Sequence, residues 1–259
     1  MLLKQFSPER RAIINPEDLI THDDTFPKTV ISCFSHVTFD RMVRETGGVA
    51  KWELGCANTV ASVYEIEYKG VKMALVNADV GAPACVALFE DVYVLGAENI
   101  VLFGTCGVLD SSIGDCAVII PYRAMRDEGT SYHYLEASDE VEVNAQYGPL
   151  FEKLLRELKV SYHTGKVWTT DGVYRETRDK MERRKAEGCI CVDMECSAMS
   201  ALALFRGKGL LHFFYSADNL DGEQWDRRSL GNHDNLEDKD RIAYLALEAG
   251  YRIEKERMK

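Results

Sequence analysis

The sequence predicts an α/β fold with a largely parallel central sheet, and three observations carry that prediction. Apolar runs of strand length alternate with longer stretches of helical period along the 259 residues. Residues 100–103 and 117–120 are short, β-rich and wholly apolar, as strands covered on both faces are. No linker, repeat or low-complexity segment interrupts the alternation. Residues 1–259 are therefore read as a single domain, with residues 1–27 as an N-terminal extension.

Each element has its own justification. Residues 30–34 follow Pro27 and read as a buried first strand. Residues 61–68 and 71–76 flank Lys69-Gly70 and read as a hairpin. Residues 83–95 read as a helix because Pro83 falls near the first turn, where a missing N–H costs least. Strands at 100–103 and 117–120 precede an amphipathic helix at 150–158. Further strands are expected at 166–169 and 190–192, and residues 210–216 form the most apolar strand late in the chain. A final helix from about residue 237 to about residue 257 puts Ile242, Leu245, Ala246, Ala249 and Ile253 on one stripe.

Composition excludes several function classes. Lys plus Arg number 31 against 42 Asp plus Glu, a formal charge of −11, which does not suit nucleic-acid binding through phosphates. The 46% hydrophobic content is ample for a core. No apolar run approaches the roughly 18 to 20 residues of a membrane span, and the first residues show no secretory pattern. A cytoplasmic globular protein is expected. Of the eight cysteines, Cys33, Cys56, Cys85, Cys106 and Cys116 stand alone. Cys189, Cys191 and Cys196 cluster, but at a spacing uncommon for zinc. They read as small buried hydrophobes in a reducing compartment, and neither a metal nor an organic cofactor is expected.

In such folds the chemistry sits in loops beyond strand ends. Three segments read as loops of that kind. Phe103-Gly104-Thr105-Cys106-Gly107 sets two glycines around a hydroxyl, so backbone N–H groups and Thr105 can approach an anion or a sugar. In Val192-Asp193-Met194-Glu195-Cys196-Ser197-Ala198 a strand enters a small-residue helix with a carboxylate in its first turn. The helix dipole is expected to keep Glu195 ionised, an acceptor for two neighbouring hydroxyls such as those of a ribose. Tyr215-Ser216-Ala217-Asp218-Asn219 places an acid past an apolar strand, where desolvation would raise it towards a general-acid role. Singly, each reads as an ordinary turn or helix start.

Together and in this order they resemble the nucleoside phosphorylase superfamily, which includes purine nucleoside phosphorylase, uridine phosphorylase and methylthioadenosine/S-adenosylhomocysteine nucleosidase. The turn of residues 77–83 before a helix, and the segment 126–134, which is similar to one in the uridine-phosphorylase-like branch, add to the match. The resemblance implies a three-layer α/β/α fold around a distorted mixed sheet, and cleavage of a nucleoside's N-glycosidic bond. It implies Glu195 as the ribose-binding carboxylate, Met194 as the wall beneath the sugar and Asp218 as the acid that protonates the base. Thr105 would meet phosphate with Gly104 beside it, Gly81 belongs to the Gly-rich turn, and Val173 and Tyr174 occupy the base-stacking segment. Relatives usually have Phe where this chain has Val173, so Tyr174 is favoured for stacking.

His36, after the first strand, stands where relatives have residues that hold phosphate; it either lines the site or ends the strand. His22, His133, Tyr134, Arg227 and Arg228 are further candidates for the site, a subunit contact or a solvated loop. The phosphate arginines of the family are missing: Leu102 stands at one position, residues 34–38 lack another, and residues 54–59 contain none. Arg41, Arg44, Arg123 and Arg126 remain for recruitment, and Asp79 remains as an activator of water. The expected partners are a nucleoside and inorganic phosphate, in a homo-oligomer, with hydrolysis by a nucleosidase or a non-catalytic nucleoside-binding member as alternatives.

Overall fold

The computed structural model describes residues 2–55 and 60–259. Cys56 and the rest of 56–59, part of the arginine-free segment before the hairpin, lie outside the described residues. Strand β1 (Thr29–Cys33) is buried along its length and leads through Ser35 into helix α1 (His36–Thr46). Ser35 caps that helix by accepting the Thr38 N–H, and Gly47 ends it at φ 66°, where glycine carries no Cβ penalty. Strands β2 (Val49–Gly55), β3 (Val60–Tyr68) and β4 (Val71–Asn77) follow as an antiparallel meander, with Tyr68 opposite Val71 across the Lys69-Gly70 turn. Helix α2 (Ala82–Leu95) carries its proline in the first turn, as the sequence requires.

Next come β5 (Asn99–Val108), β6 (Val118–Asp127), the short β7 (Glu140–Glu142) and α3 (Gly148–Glu157). Strand β8 (Tyr162–Thr170), helix α4 (Arg178–Ala186), β9 (Cys189–Asp193) and α5 (Cys196–Arg206) precede β10 (Gly209–Asn219). Helix α6 (Leu236–Arg257) closes the chain, with the stripe from Ile242 to Ile253 buried as expected.

The sheet is mixed, as the family resemblance implies, and not largely parallel as the alternation of elements alone suggests. Among the described residues five strand pairings are parallel and five antiparallel. The reason lies in the connections: β2, β3 and β4 follow one another without helices, and no helix separates β5 from β6. Strand β10 pairs with both β5 and β6, so β5, β10, β6, β8 and β9 close into a ring. Strand β7 pairs with β6 beside the ring, and β1, β4, β3 and β2 extend from β5 as an open wing.

Side-chain alternation builds the layers. Odd-numbered Ile31, Met73, Leu75, Val101, Phe103 and Phe213 face α1, α3 and α6. Even-numbered Val30, Ala74, Val76, Ile100 and Leu102 face α2 and α5. The result is the three-layer α/β/α arrangement. Helix α4 and strand β2 were not legible in the sequence. The first is almost wholly polar with Met181 as its buried contact, and the second is a mostly exposed edge. Residues before Pro27 lie against the wing and α2; Asp23 accepts the Trp52 indole N–H at 2.8 Å and His22 bonds the Val94 carbonyl at 2.9 Å.

One buried group makes the fold sensitive to acid. His212, in mid β10, is fully buried, and neither ring nitrogen has a hydrogen-bond partner among the described residues. Burial pushes its pKa down to about 3 from 6.5. The unfolded chain binds that proton more readily, so stability is complete above about pH 6.5 and falls as pH drops towards 3. The loss is at most about 1.4 kcal/mol per pH unit. His212→Phe should flatten this part of the pH–stability curve in urea titrations, and an unchanged slope would show that other groups set it.

Candidate active site

Three strands meet at Gly107. On β5 it lies opposite Asp218 of β10 and opposite Val192 of β9. A Cβ at this position would stand 3.2 Å from both Asp218 Oδ1 and Val192 Cγ1 and would collide with Leu220, so glycine is required for the close approach. Gly104, three residues earlier, has the Phe34 ring against its backbone; a Cβ there would lie 2.6 Å from Cδ2 of that ring. The segments 104–107 and 216–219, expected as loops, are therefore the ends of β5 and β10. The glycines serve close packing between strands rather than a turn, and a bulge between Ser216 and Asp218 shifts the acid's register.

Along this junction run three adjoining cavities. An inner cavity of about 320 Å³ is lined by His36, Gly104, Thr105 and Lys239. A central one of about 240 Å³ adds Met194, Glu195, Val173, Glu176 and Asp218 to Thr105. An outer one of about 560 Å³ shares Val173, Glu176 and Asp218 and continues to Tyr174, Arg178 and Trp225. Leu230 lines all three. Gly81 is joined to the centre through its N–H, which donates to Glu195 Oε1 at 2.6 Å. The structure thus gathers the expected residues, with Val173 on the wall and Tyr174, 95% exposed, at the rim.

Other candidates stand elsewhere. His22 and His133 line none of the three cavities, and Arg227 pairs with Asp234 at 3.5 Å. Asp79 lines none of them either. The four arginines left for phosphate are also outside. Arg41 pairs with Asp240, Arg123 with Glu140 at 3.7 Å, and Arg44 faces a shallow hollow on the outer side of α1. Arg126 is buried and tied to Ser131, Ser138 and the Glu136 carbonyl, where it stabilises the 126–138 segment.

The electrostatics correct one expectation. Glu195 stands just before α5, and the helix-end N–H groups go to its neighbour: Asp193 accepts from the amides of Glu195 and Cys196 at 2.9 and 2.6 Å and from the Thr169 hydroxyl at 2.6 Å. Glu195 is 6% exposed, and burial, with Asp193 beside it, pushes its pKa up to about 8 despite the Gly81 N–H. Burial thus favours the protonated form of Glu195, against the ionised state that the helix dipole suggested. Asp218 is also raised by burial, with one oxygen held by the Trp225 indole N–H at 2.8 Å.

Comparison with known proteins identifies the family. The sequence pattern of the phosphorylase superfamily matches residues 37–249. The chain belongs to this superfamily. A guanosine phosphorylase of Halorubrum lacusprofundi is 26% identical over 162 residues, 61% of this chain and 65% of that protein. The chain thus spans less than two thirds of that relative. A purine nucleoside phosphorylase of Vibrio vulnificus is 27% identical over 61% of this chain and 68% of its own length. Among solved structures, a purine nucleoside phosphorylase from Toxoplasma gondii in complex with immucillin-H superposes with a TM-score of 0.75 at 20% identity, covering 94% of this chain and 95% of that one. A uridine phosphorylase from Vibrio fischeri gives 0.72 at 21% identity over 90% and 95%.

Sequence reasoning missed three residues of this superfamily member's cleft. Glu176 lies between the central and outer cavities and makes no hydrogen bond or ion pair among the described residues; burial, then Asp218, pushes it up to about 7. Its signal was a carboxylate just past Val173-Tyr174. Trp225 and Lys239 carried no motif, since their places depend on how residues 220–239 fold back over the strand ends.

The raised Glu195 has a measurable cost. An acid whose folded pKa lies above its unfolded value of 4.5 destabilises the fold as pH rises from 4.5 to about 8. Glu195→Gln keeps an oxygen for Gly81 and removes that cost, so the free protein should gain up to roughly 3 kcal/mol at neutral pH. Thermal unfolding at pH 5 and pH 8 checks this: the gain should be larger at pH 8, and equal gains would refute it.

Proposed function

We propose that this chain cleaves the N-glycosidic bond of a nucleoside with a purine-type base, with phosphate as the nucleophile. The observation that carries this reading is the order of groups along one cleft. A hydroxyl and a cation end at Thr105 and Lys239, a buried carboxylate follows at Glu195, and two acids, Asp218 and Glu176, stand at the far end. The nucleoside and phosphorylase names of the matched relatives support the same substrate class.

In this reading the ribose lies in the central cavity on Met194, its hydroxyls donate to Glu195, and those donors return the carboxylate to its ionised form. The charge then favours an oxocarbenium-like sugar. A phosphate oxygen forms the new bond to C1′ as the C1′–N bond breaks. The released electron pair goes to the base, and a ring nitrogen takes the proton from Asp218. Val173 walls the base and Tyr174 closes over it. Phosphate is favoured over water because no carboxylate lines the inner cavity among the described residues. Superfamily membership leads us to propose a homo-oligomer as well. The buried free thiols of Cys33, Cys85, Cys106, Cys189, Cys191 and Cys196 support a reducing, cytoplasmic setting.

The test is base release from a panel of purine and pyrimidine nucleosides while phosphate is titrated from none, following ribose 1-phosphate against free ribose. Phosphate-dependent release of a purine base is expected. A phosphate-independent rate yielding free ribose would make the protein a nucleosidase, and no release from any nucleoside would leave a binding protein. Asp218→Asn should lower kcat by about 10²- to 10⁴-fold with little change in substrate affinity. Glu195→Ala should lose about 2 to 4 kcal/mol of transition-state stabilisation.

A further inference from the structure

A phosphate needs cationic donors, because desolvating one to two negative charges against neutral groups alone is costly. The arginines considered for that role point elsewhere, as described above. The centre and far end of the cleft are acidic, with Asp193, Glu195, Asp218 and Glu176 on their walls. Arg178 is the cation of the outer cavity and donates to the Leu220 and Gly222 carbonyls at the end away from Thr105, so the inner cavity is where a cation and the Thr105 hydroxyl stand together.

The inner cavity is lined by the Ser35-His36 start of α1, by Thr105 at the end of β5 and by Lys239 of α6. Lys239 is 2% exposed. Its ammonium donates to the carbonyls of Ser229 at 3.0 Å and Gly231 at 2.6 Å, which uses two of its three protons. No carboxylate pairs with it among the described residues, although its neighbour Asp240 holds Arg41. Of the described residues lining this cavity, Lys239 is the one lysine or arginine, its pKa lowered by burial; His36 is exposed.

We infer that Lys239 is the cation that holds the attacking phosphate, taking over from α6 the part that arginines on other elements would play, with its third proton directed to a phosphate oxygen beside Thr105. This rests on the phosphorolytic reading above. The two carbonyls fix the ammonium in place, so the site is pre-organised and loses little side-chain freedom on binding. They also tie residues 229–231, and hence Leu230, over the cleft. A purely structural lysine would act through that strap alone and would affect nucleoside and phosphate together.

Steady-state kinetics of Lys239→Gln separate the two roles. The KM for phosphate should rise about 10- to 100-fold, the scale of losing a charged hydrogen bond, with the nucleoside KM within about twofold of the parent. Lys239→Arg, which keeps the charge, should recover most of the phosphate affinity. An equal rise in both KM values, or no rise in either, overturns the inference. If Lys239→Gln fails to fold, the unaltered protein carries the test. With ¹³C-labelled lysine, the side-chain signal missing from Lys239→Arg should move as inorganic phosphate is titrated. A signal that stays fixed while phosphate drives turnover overturns the proposal equally. Phosphate-independent release of free ribose by the unaltered protein would instead defeat the phosphorolytic reading, and the two failures are thereby distinguished.

Discussion

The close approach of β5, β9 and β10 at Gly107 is the constraint on which the rest of the site depends. With Asp218 and Val192 both 3.2 Å from where a Cβ would stand, two strands can converge on a third with almost no space between them. That convergence closes the ring of five strands. It also brings the end of β9, which delivers Met194 and Glu195, beside the end of β10, which delivers Asp218. A larger residue would press on the side chains of Leu220, Asp218 and Val192, which line the cleft. Gly104 repeats the device on the inner side, where the Phe34 ring lies flush with the backbone and leaves Thr105 free to face the inner cavity.

Charge is then sorted along that cleft. Four carboxylates stand on the walls of its central and outer parts, and the buried lysine stands at its inner end. Burying so many acids is unfavourable, and the fold offsets it unevenly. Asp193 receives two amides and a hydroxyl, whereas Glu195 receives the Gly81 amide and burial raises its pKa. Sorting of charge also explains why an anion would enter at the end nearest α1 and α6.

The segment from Leu220 to Lys239 links these two features. It starts where β10 ends, carries Trp225 to the Asp218 carboxylate and Leu230 across all three cavities, and is pinned by Lys239 from below. Much of it is exposed. Its conformation depends on hydrogen bonds to groups that are themselves set by the sheet, such as Asn219 with Asp226 and Ser35 with Asn232.

What the sequence determined by itself was whatever depends on local pattern. Strand-length apolar runs located β1, the β3–β4 hairpin and the cores of β5, β6 and β10, because a strand covered on both faces leaves an unbroken apolar run in the sequence. The stripe on α6 and the proline at the start of α2 were legible as local patterns as well. The motif order gave Thr105, Val173, Met194, Glu195 and Asp218, which the fold gathers in one cavity. Tertiary structure alone decided the rest. The balance of parallel and antiparallel pairing followed from which strands met across the ring. Helix α4 and strand β2 had too little buried surface to leave a periodic signal. The raised pKa of Glu195 goes against the local helix-dipole argument because desolvation and Asp193, both products of packing, outweigh a helix end whose amides are already taken. Glu176, Trp225 and Lys239 reached the cleft through chain reversals that no spacing encodes, since what recruits them is the geometry of the cavity and not the identity of their neighbours in sequence.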